Sequence, residues 1–544
     1  MMRWLSIAPL FVLMLSGMQS AAFAADEALD LINTLRSSAG MTRLVYSPVL
    51  SLAAKNHATY LSLNIGGNRL HVDAHIEQNG RRGFTGESSD ERAEYVGYAH
   101  SEVKENVSIG NTDIVDSVTG LMAGIYHRFT FLDFQVDEMG YGREGEAFVY
   151  ELGRSDLARM CTTFPKKAEL DPPFDCLGTL VKSSYIEGVC KKLPAEAVYQ
   201  PPYRTRCPGG KLLRADYMER FCKSPLKSAL YTGKGSYYKI CKPEVRVKSG
   251  WLEHLCTAPD SPARYVGENR YYQICANNTK VFADWFKQLC ENVPAQARYE
   301  DSGYYIQPCH SDFKARQEYL NKLDAKMYRS NPRYVVWPPK NSDDIPPAFF
   351  DESPDPLPDL DVSGYPLSLQ FNPGKVKSVH LDSFILEKKN RNGIWERVKA
   401  IRELNRESDP NQVLSKWQFA WFPLKRLDWG TYYRASVNAL IDKRKTRIQW
   451  HFRTQALDTP LYILKREHRN VKVYPDRWVA LYFEPDKTSS RPLEYIETRW
   501  VGNANVETNI LDLNTLQIYL GNTNCKPVSL YLAHGREVKL TTCD

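Results

Sequence analysis

From Cys161 to Cys309 the chain repeats itself about every 30 residues, and this constrains its fold more than any other feature. When the chain is aligned on Cys161, Cys190, Cys222, Cys256 and Cys290, an alanine stands seven positions later each time: Ala168, Ala197, Ala229, Ala263 and Ala297. Four units add a tyrosine two positions further on, at Tyr199, Tyr231, Tyr265 and Tyr299. Second cysteines follow at Cys176, Cys207, Cys241, Cys275 and Cys309, and in the last four units an aromatic precedes the leading cysteine by five: Tyr185, Tyr217, Trp251 and Trp285. A unit this small buries little apolar surface, so a crosslink is the physical remedy. One disulfide per unit is expected: Cys161–Cys176, Cys190–Cys207, Cys222–Cys241, Cys256–Cys275 and Cys290–Cys309, with links between neighbouring units as the alternative. The tyrosines and the many Lys and Arg either form each unit's core and solvated face or offer stacking and charge to an envelope polysaccharide, lipid or protein partner.

Disulfides require an oxidising compartment, and the N-terminus supplies the route. Met1 to Arg3 make a short basic start, Leu5 to Leu15 an apolar core and Ala22-Phe23-Ala24 a small-residue cleavage site, so residues 1–24 read as a signal peptide. The apolar core is too short for a membrane span, and no later stretch has the roughly 20 apolar residues a spanning helix needs. A secreted protein, periplasmic or extracellular and without a transmembrane anchor, is expected, and with it no nucleic-acid partner. At 544 residues the chain exceeds one core. Its modules read as 25–155, 156–310 for the repeats, 311–362 for a helix and Pro-rich linker, 363–456 and 457–544.

Charge divides where the cysteines begin. Residues 26–155 carry 11 Lys and Arg against 19 Asp and Glu, a net −8, whereas 156–330 carry 28 against 19, a net +9. In the acidic module, Ser47-Pro48 starts a helix with Leu50, Ala53, His57 and Leu61 at helical spacing. A second helix is expected over 113–127, with Ile114, Val118, Leu121 and Ile125 on one face. His127 lies off that stripe, above Gly124, Ala123 and Gly120, a small-residue surface that suits either a cleft floor or the close approach of another element.

The runs "HIEQNGRRGFTGESSDERAEYVGY" (75–98), "ENVSIG" (105–110) and "GIYHR" (124–128) resemble the CAP superfamily of cysteine-rich secretory, antigen 5 and pathogenesis-related proteins in its bacterial, SCP-like form. The resemblance covers about residues 25–154. It implies an α-β-α sandwich with a cleft where two histidines and acidic residues converge. By motif these are His75, Glu105 and His127. The family's second glutamate has no clear match; Asp116 is the nearest acidic candidate, but eleven residues rise about 16 Å along a helix, too far to touch His127.

Two imidazoles and a carboxylate could bind zinc or another divalent cation, take a small apolar ligand, act as an acid and base pair, or form a buried structural cluster. No nucleophile decides between these. Ser88, Ser89 and Ser108 lie near the motifs, none in a Gly-x-Ser-x-Gly turn. His71 reads as a rim residue and His57 as packed within its helix.

The segment 335–361 is proline-rich and acidic, as expected of a stiff spacer. Beyond it, Leu367, Leu369 and Phe371, then Tyr433, Ala435 and Val437, then Ile448, Trp450 and Phe452 alternate as strands do, suggesting an immunoglobulin- or fibronectin-like β-sandwich. Cys525 and Cys543 flank His534-Gly535 almost symmetrically, which reads as a stapled hairpin, Cys525–Cys543, in a small β domain. The functions left open are a binding or adhesion protein, a metal-assisted or histidine-dependent hydrolase of peptide or envelope polymer, and a structural surface scaffold.

Overall fold

The computed structural model describes residues 27–64, 73–169, 305–485 apart from 312, 314 and 351, and 492–542 apart from 494 and 501–504; within 170–304 it describes the hairpins and helices named below. The signal peptide and His71 lie outside these residues. The chain divides into two compact units, Met1–Glu169 with Tyr305–Asp544, and Leu170–Tyr304.

The first unit begins with helix α1 (27–38), strand β1 (Val45–Tyr46), α2 (Pro48–Asn64), α3 (Ser89–Tyr95), β2 (Lys104–Ile109), α4 (Ile114–Ala123), α5 (Ile125–Phe131), β3 (Glu138–Glu144), β4 (Ala147–Gly153) and α6 (Ser155–Thr163). The strands form one sheet in the order β1-β3-β4-β2, with β4 antiparallel to both β2 and β3. Strand alternation gives this sheet two apolar faces. Val107 and Val149 pack with Ala54, Ala58 and Leu61 of α2. On the opposite face Tyr150 meets the ring of Phe131 edge-on at 5.3 Å and shares a hydrogen bond with Ser117 Oγ at 2.8 Å. Helices therefore cover both faces, the α-β-α arrangement expected. A Cβ at Gly140 or Gly142 would overlap the backbone of α2, so these glycines permit the close seating of that helix.

The single helix expected over 113–127 is two helices. Gly124 is extended (φ −70°, ψ 137°) and separates α4 from α5. The apolar stripe survives the break, since Ile114, Val118, Leu121 and Ile125 are all buried.

The spacer expected over 335–361 is instead folded into a β-sandwich. Tyr334–Trp337 joins Leu367–Phe371, Gln418–Pro423 and Ile401–Leu404 in a four-stranded sheet, and Ser342–Ile345 edges a five-stranded sheet with Arg444–Thr454, Tyr432–Ile441, Val379–Lys389 and Trp395–Arg397. Val335, Val336, Trp337, Ile345 and Phe349 are buried, so this segment's apolar residues outweigh its prolines, which fall between strands. The two sheets share a core, with Phe384 stacked on Trp421 at 4.2 Å. Tyr433, Ala435, Val437, Ile448, Trp450 and Phe452 point inward as their alternation requires.

That core is continuous with the α-β-α module. Helix α5 packs Ile125, Tyr126 and Phe129 against Phe349, Leu357, Leu414 and Phe422 of the sandwich. Arg128, fully buried, donates to Met122 O (2.8 Å), Ala123 O (3.2 Å), Pro366 O (2.9 Å) and Ser368 Oγ (3.1 Å), so one guanidinium satisfies orphan carbonyls at the end of α4 and ties them to the sandwich. Gln370 Nε2 adds a bond to Leu132 O at 2.6 Å.

Each described repeat is a β-hairpin followed by a nine-residue helix: Pro173–Cys176 and Thr179–Lys182 before Ser183–Lys191, Tyr237–Ile240 and Val245–Lys248 before Ser249–Thr257, and likewise before Ala215–Lys223 and Ala283–Glu291. The leading cysteine falls next to last on each helix, and the aromatic five positions earlier falls in its first turn. Phe221 and Trp251 of successive helices stack at 4.6 Å.

Cys161 is bonded to Cys309 across a sequence separation of 148, which replaces the expected Cys161–Cys176 and Cys290–Cys309 pairs. The physical reason is that α6 faces the hairpin Tyr305–Ile306/Ala315–Arg316, where the chain returns from the array. Arg316 N donates to Ala168 O (2.7 Å), and the equivalent bond within the array runs from Lys248 N to Ala229 O (2.8 Å). The other expected pairs each include Cys207, Cys241, Cys275 or Cys543, which lie outside the described residues; Cys190, Cys222, Cys290 and Cys525 are disulfide-bonded.

Residues beyond 460 form two four-stranded sheets around Val479, Leu481, Leu516, Ile518, Leu530 and Leu540. Val528–Leu532 and Glu537–Thr541 pair antiparallel about Ala533–Gly535, the hairpin read from the sequence, and Thr523 and Thr542 exchange hydrogen bonds across its open end. No helix among the described residues is long and apolar enough to cross a membrane.

Candidate functional site: a histidine pair completed from the sandwich

His75, Glu105 and His127 come together. His75 precedes α3, Glu105 is the second residue of β2, and His127 is on α5, whose axis runs past β2. Asn106 Nδ2 holds His127 O at 2.9 Å and so fixes α5 against the strand. The rings of His75 and His127 lie 6.3 Å apart at 24°, close to parallel.

His75 Nδ1 donates to Glu105 Oε1 at 2.8 Å, while Glu105 Oε2 accepts from Arg92 Nη2 at 2.6 Å. Burial alone would raise the Glu105 carboxyl, but the His75 bond, Arg92 and His57 together hold it well below the ordinary range, as an anion. Burial lowers His75, and Glu105 more than reverses this, so the imidazole is held above its usual value.

Asp116 does not take part: it lies exposed at the start of α4, accepting from Thr112 N. The second carboxylate is Glu352, from the segment read as a spacer. His127 Nδ1 donates to Glu352 Oε2 at 2.8 Å, and the same carboxylate accepts from the backbone N–H groups of Ile125 (2.5 Å) and Tyr126 (3.2 Å). Helix α5 has glycine at its N-cap and no capping side chain, so Glu352 caps it from 225 residues away from His127. A Cβ at Gly124 would overlap Glu352, which explains that part of the small-residue surface beneath His127: it admits a neighbouring carboxylate.

Around this centre lie residues the motifs did not single out. His57, fully buried, does more than pack within its helix: Nδ1 meets Glu77 Oε1 at 2.9 Å and Nε2 meets Ala74 O at 2.8 Å, which ties α2 to the loop carrying His75. Arg92 Nη1 also holds His75 O at 3.2 Å. Glu151, opposite Glu105 in the β2–β4 ladder, is fully buried with neither carboxyl oxygen hydrogen-bonded in the structure. Burial first, then the neighbouring Glu105 anion, pushes its carboxyl well above the ordinary value, so Glu151 is neutral beside an ionised Glu105. A lone glutamate inside the apolar run of β4 was a sequence signal for this; Glu352 and Arg92 carried none.

The nearby serines have other duties. Ser88 Oγ caps α3 by accepting from Glu91 N at 3.3 Å, Ser89 Oγ donates to Val103 O at 3.2 Å, and Ser108 Oγ pairs with Ser117 Oγ at 2.5 Å.

Residues 29–149 match the model of the cysteine-rich secretory protein family, CAP, so the N-terminal module is a CAP module. Among solved structures, an extracellular protein containing an SCP domain from Bacillus anthracis is similar at 16% identity over 25% of this chain and 41% of that one, with a TM-score of 0.22. InvD of Yersinia pseudotuberculosis is similar at 8% identity over 32% of this chain and 51% of that one, with a TM-score of 0.15. An endo-fucoidan hydrolase of glycoside hydrolase family 107 is similar at 6% identity over 33% and 26%, with a TM-score of 0.14. The chain spans less than half of the length of the first of these. No curated protein matches it.

Proposed function

We propose that this chain, whose residues 29–149 carry a CAP module, is an exported binding protein of the cell envelope or the surrounding medium, and that its cleft takes a divalent cation between His75 and His127. One observation carries this reading: each histidine gives Nδ1 to a buried carboxylate, Glu105 or Glu352, which leaves Nε2 of each as its remaining nitrogen, and the two rings lie near-parallel with centroids 6.3 Å apart. A carboxylate on the far nitrogen fixes the tautomer and raises the basicity of an imidazole ligand. His75 and His127 would hold the ion through Nε2. Among the described residues no group of three His, Cys, Asp or Glu side chains gathers there, so the shell would be completed by water or by a ligand, which suits a binding role. When bound, the ion would supply Lewis acidity to that ligand. The chain's own residues do the positioning: Glu352 and α5 close one side, while His75, 38% exposed at its side chain, leaves the other open. The sandwich, in this reading an immunoglobulin-like module, serves as both support and participant.

Equilibrium dialysis of the full chain against zinc tests the proposal. About one equivalent should bind, the His75→Ala/His127→Ala variant should bind none at that site, and Glu352→Gln should weaken affinity about 10- to 100-fold, as loss of an outer-shell partner does. Equal zinc content and equal zinc-dependent shift of melting temperature in wild type and the double histidine variant would overturn it.

A further inference from the structure

The five-stranded sheet of the sandwich has one face in the core and one in solvent, and the outer face is not the usual mixed surface. Arg397, Arg434, Lys445, Arg447 and Arg453 all lie on it by strand alternation. Its central carboxylate, Glu387, is already engaged by Arg434 at 2.7 and 2.8 Å. The acids that border the face are Asp343 and Asp344 on one edge strand, Glu396 on the other and Asp382 at the bulge between Leu381 and Ser383. Along Arg444–Thr454 the outward positions recur about every 6.8 Å, giving a row that begins with Lys445 and Arg447 and ends with Arg453.

Rings lie among these cations. Arg434 covers Trp395 at 4.5 Å, and Arg453 covers Tyr432 at 5.1 Å, which leaves Tyr432 50% exposed. Between the charged rows stand planar amides and hydroxyls: Asn438 Nδ2 bonds Ser383 Oγ at 3.0 Å, and exposed Gln449 is paired with Ser436.

We propose that this outer face binds an acidic polysaccharide. Its three kinds of group match the three parts of such a chain. Guanidinium forks take carboxylate or sulfate groups in pairs, aromatic faces take the C–H faces of sugar rings, and amides take hydroxyls. The strand-spaced row lets a linear polymer lie along it, where its repeated charges meet repeated cations. The surface is separate from the histidine cleft, and zinc binding does not report on it.

Affinity electrophoresis of the full chain through gels containing polygalacturonate, neutral dextran, polyglutamate or duplex DNA tests the proposal. Polygalacturonate should retard the protein in a salt-sensitive way and dextran should not. Arg447→Ala/Arg453→Ala should weaken retardation about tenfold or more, since charge-assisted contacts are lost, while Arg447→Lys/Arg453→Lys should keep much of it. Tyr432→Ala should weaken polygalacturonate binding and leave any polyglutamate binding unchanged, which separates a saccharide surface from a general anion surface. All these side chains are at the surface, so a melting temperature near wild type is expected as the folding control. Unchanged retardation of the double alanine variant would overturn the proposal, as would polyglutamate or duplex DNA binding as tightly as polygalacturonate.

Discussion

Helices α5 and α6 face the same mechanical problem and meet it differently. Each is fastened to a stretch far along the chain: α5 to the sandwich, with Arg128 reaching Pro366 238 residues on, and α6 to a hairpin 148 residues on. Closing either loop costs entropy that grows only slowly with length, so the difference lies in what is available to offset it. Helix α5 meets a broad apolar surface, where Ile125, Tyr126 and Phe129 join a core shared with the sandwich. Helix α6 brings Leu157, Met160 and Cys161 to a small cluster with Ala168, Ala315 and Leu320. The first seam is held by burial and a polar hub, the second by a covalent bond.

Removing the hub is the largest test. Arg128→Ala leaves carbonyls at the end of α4 and on Pro366 without donors and opens a cavity at the seam, so a loss of about 3–5 kcal/mol is expected from the unsatisfied buried carbonyls and the lost packing together. Urea denaturation followed by tryptophan fluorescence measures it. A loss below about 1 kcal/mol would mean that the CAP module and the sandwich are held by apolar contact alone, and the contrast with α6 would lose its polar half.

Removing the crosslink is the next test. Cys161→Ala with Cys309→Ala should cost about 2–4 kcal/mol, chiefly by freeing the unfolded chain, and should leave any zinc binding by His75 and His127 unchanged. Peptide mapping of the oxidised protein sharpens the same point. It should recover a Cys161–Cys309 pair and, because Lys248 N to Ala229 O repeats the geometry of Arg316 N to Ala168 O, a Cys222–Cys241 pair. Recovery of Cys161 joined to Cys176 would refute the seam as described.

These two seams also mark what the sequence could and could not convey. The α-β-α module, His75, Glu105, His127 and the inward-facing residues of the sandwich were legible because each depends on local spacing or on motifs within about 60 residues. What was hidden arises where distant segments meet. Nothing near Glu352 signals a histidine, and the proline-rich composition around it argued for a spacer, yet seven buried apolar residues draw that segment into the sandwich and place its carboxylate on α5. Cys161 was assigned to its neighbour for the same reason: periodicity does not reveal that an array closes on its own starting helix.

The smallest effect comes from a contact that crosses neither seam. Glu105 and Glu151 face each other in one ladder, and Glu151 stays neutral because burial and the Glu105 anion raise its carboxyl well above the unfolded value of 4.5. A raised folded-state value means that the unfolded chain releases this proton first, so the folded protein loses stability as pH rises from the unfolded value toward the folded one. Glu151→Gln keeps a neutral donor of the same shape beside Glu105 and removes that proton. The variant should therefore match wild type near pH 4 and become the more stable of the two as pH rises above the unfolded value. Denaturation curves on either side of that value measure the gap. A gap that stays flat or narrows with rising pH would show that Glu151 is ionised in the fold; the same result would then require a cation beside it, and Arg92, already committed to Glu105 at 2.6 Å, is the one that would have to move.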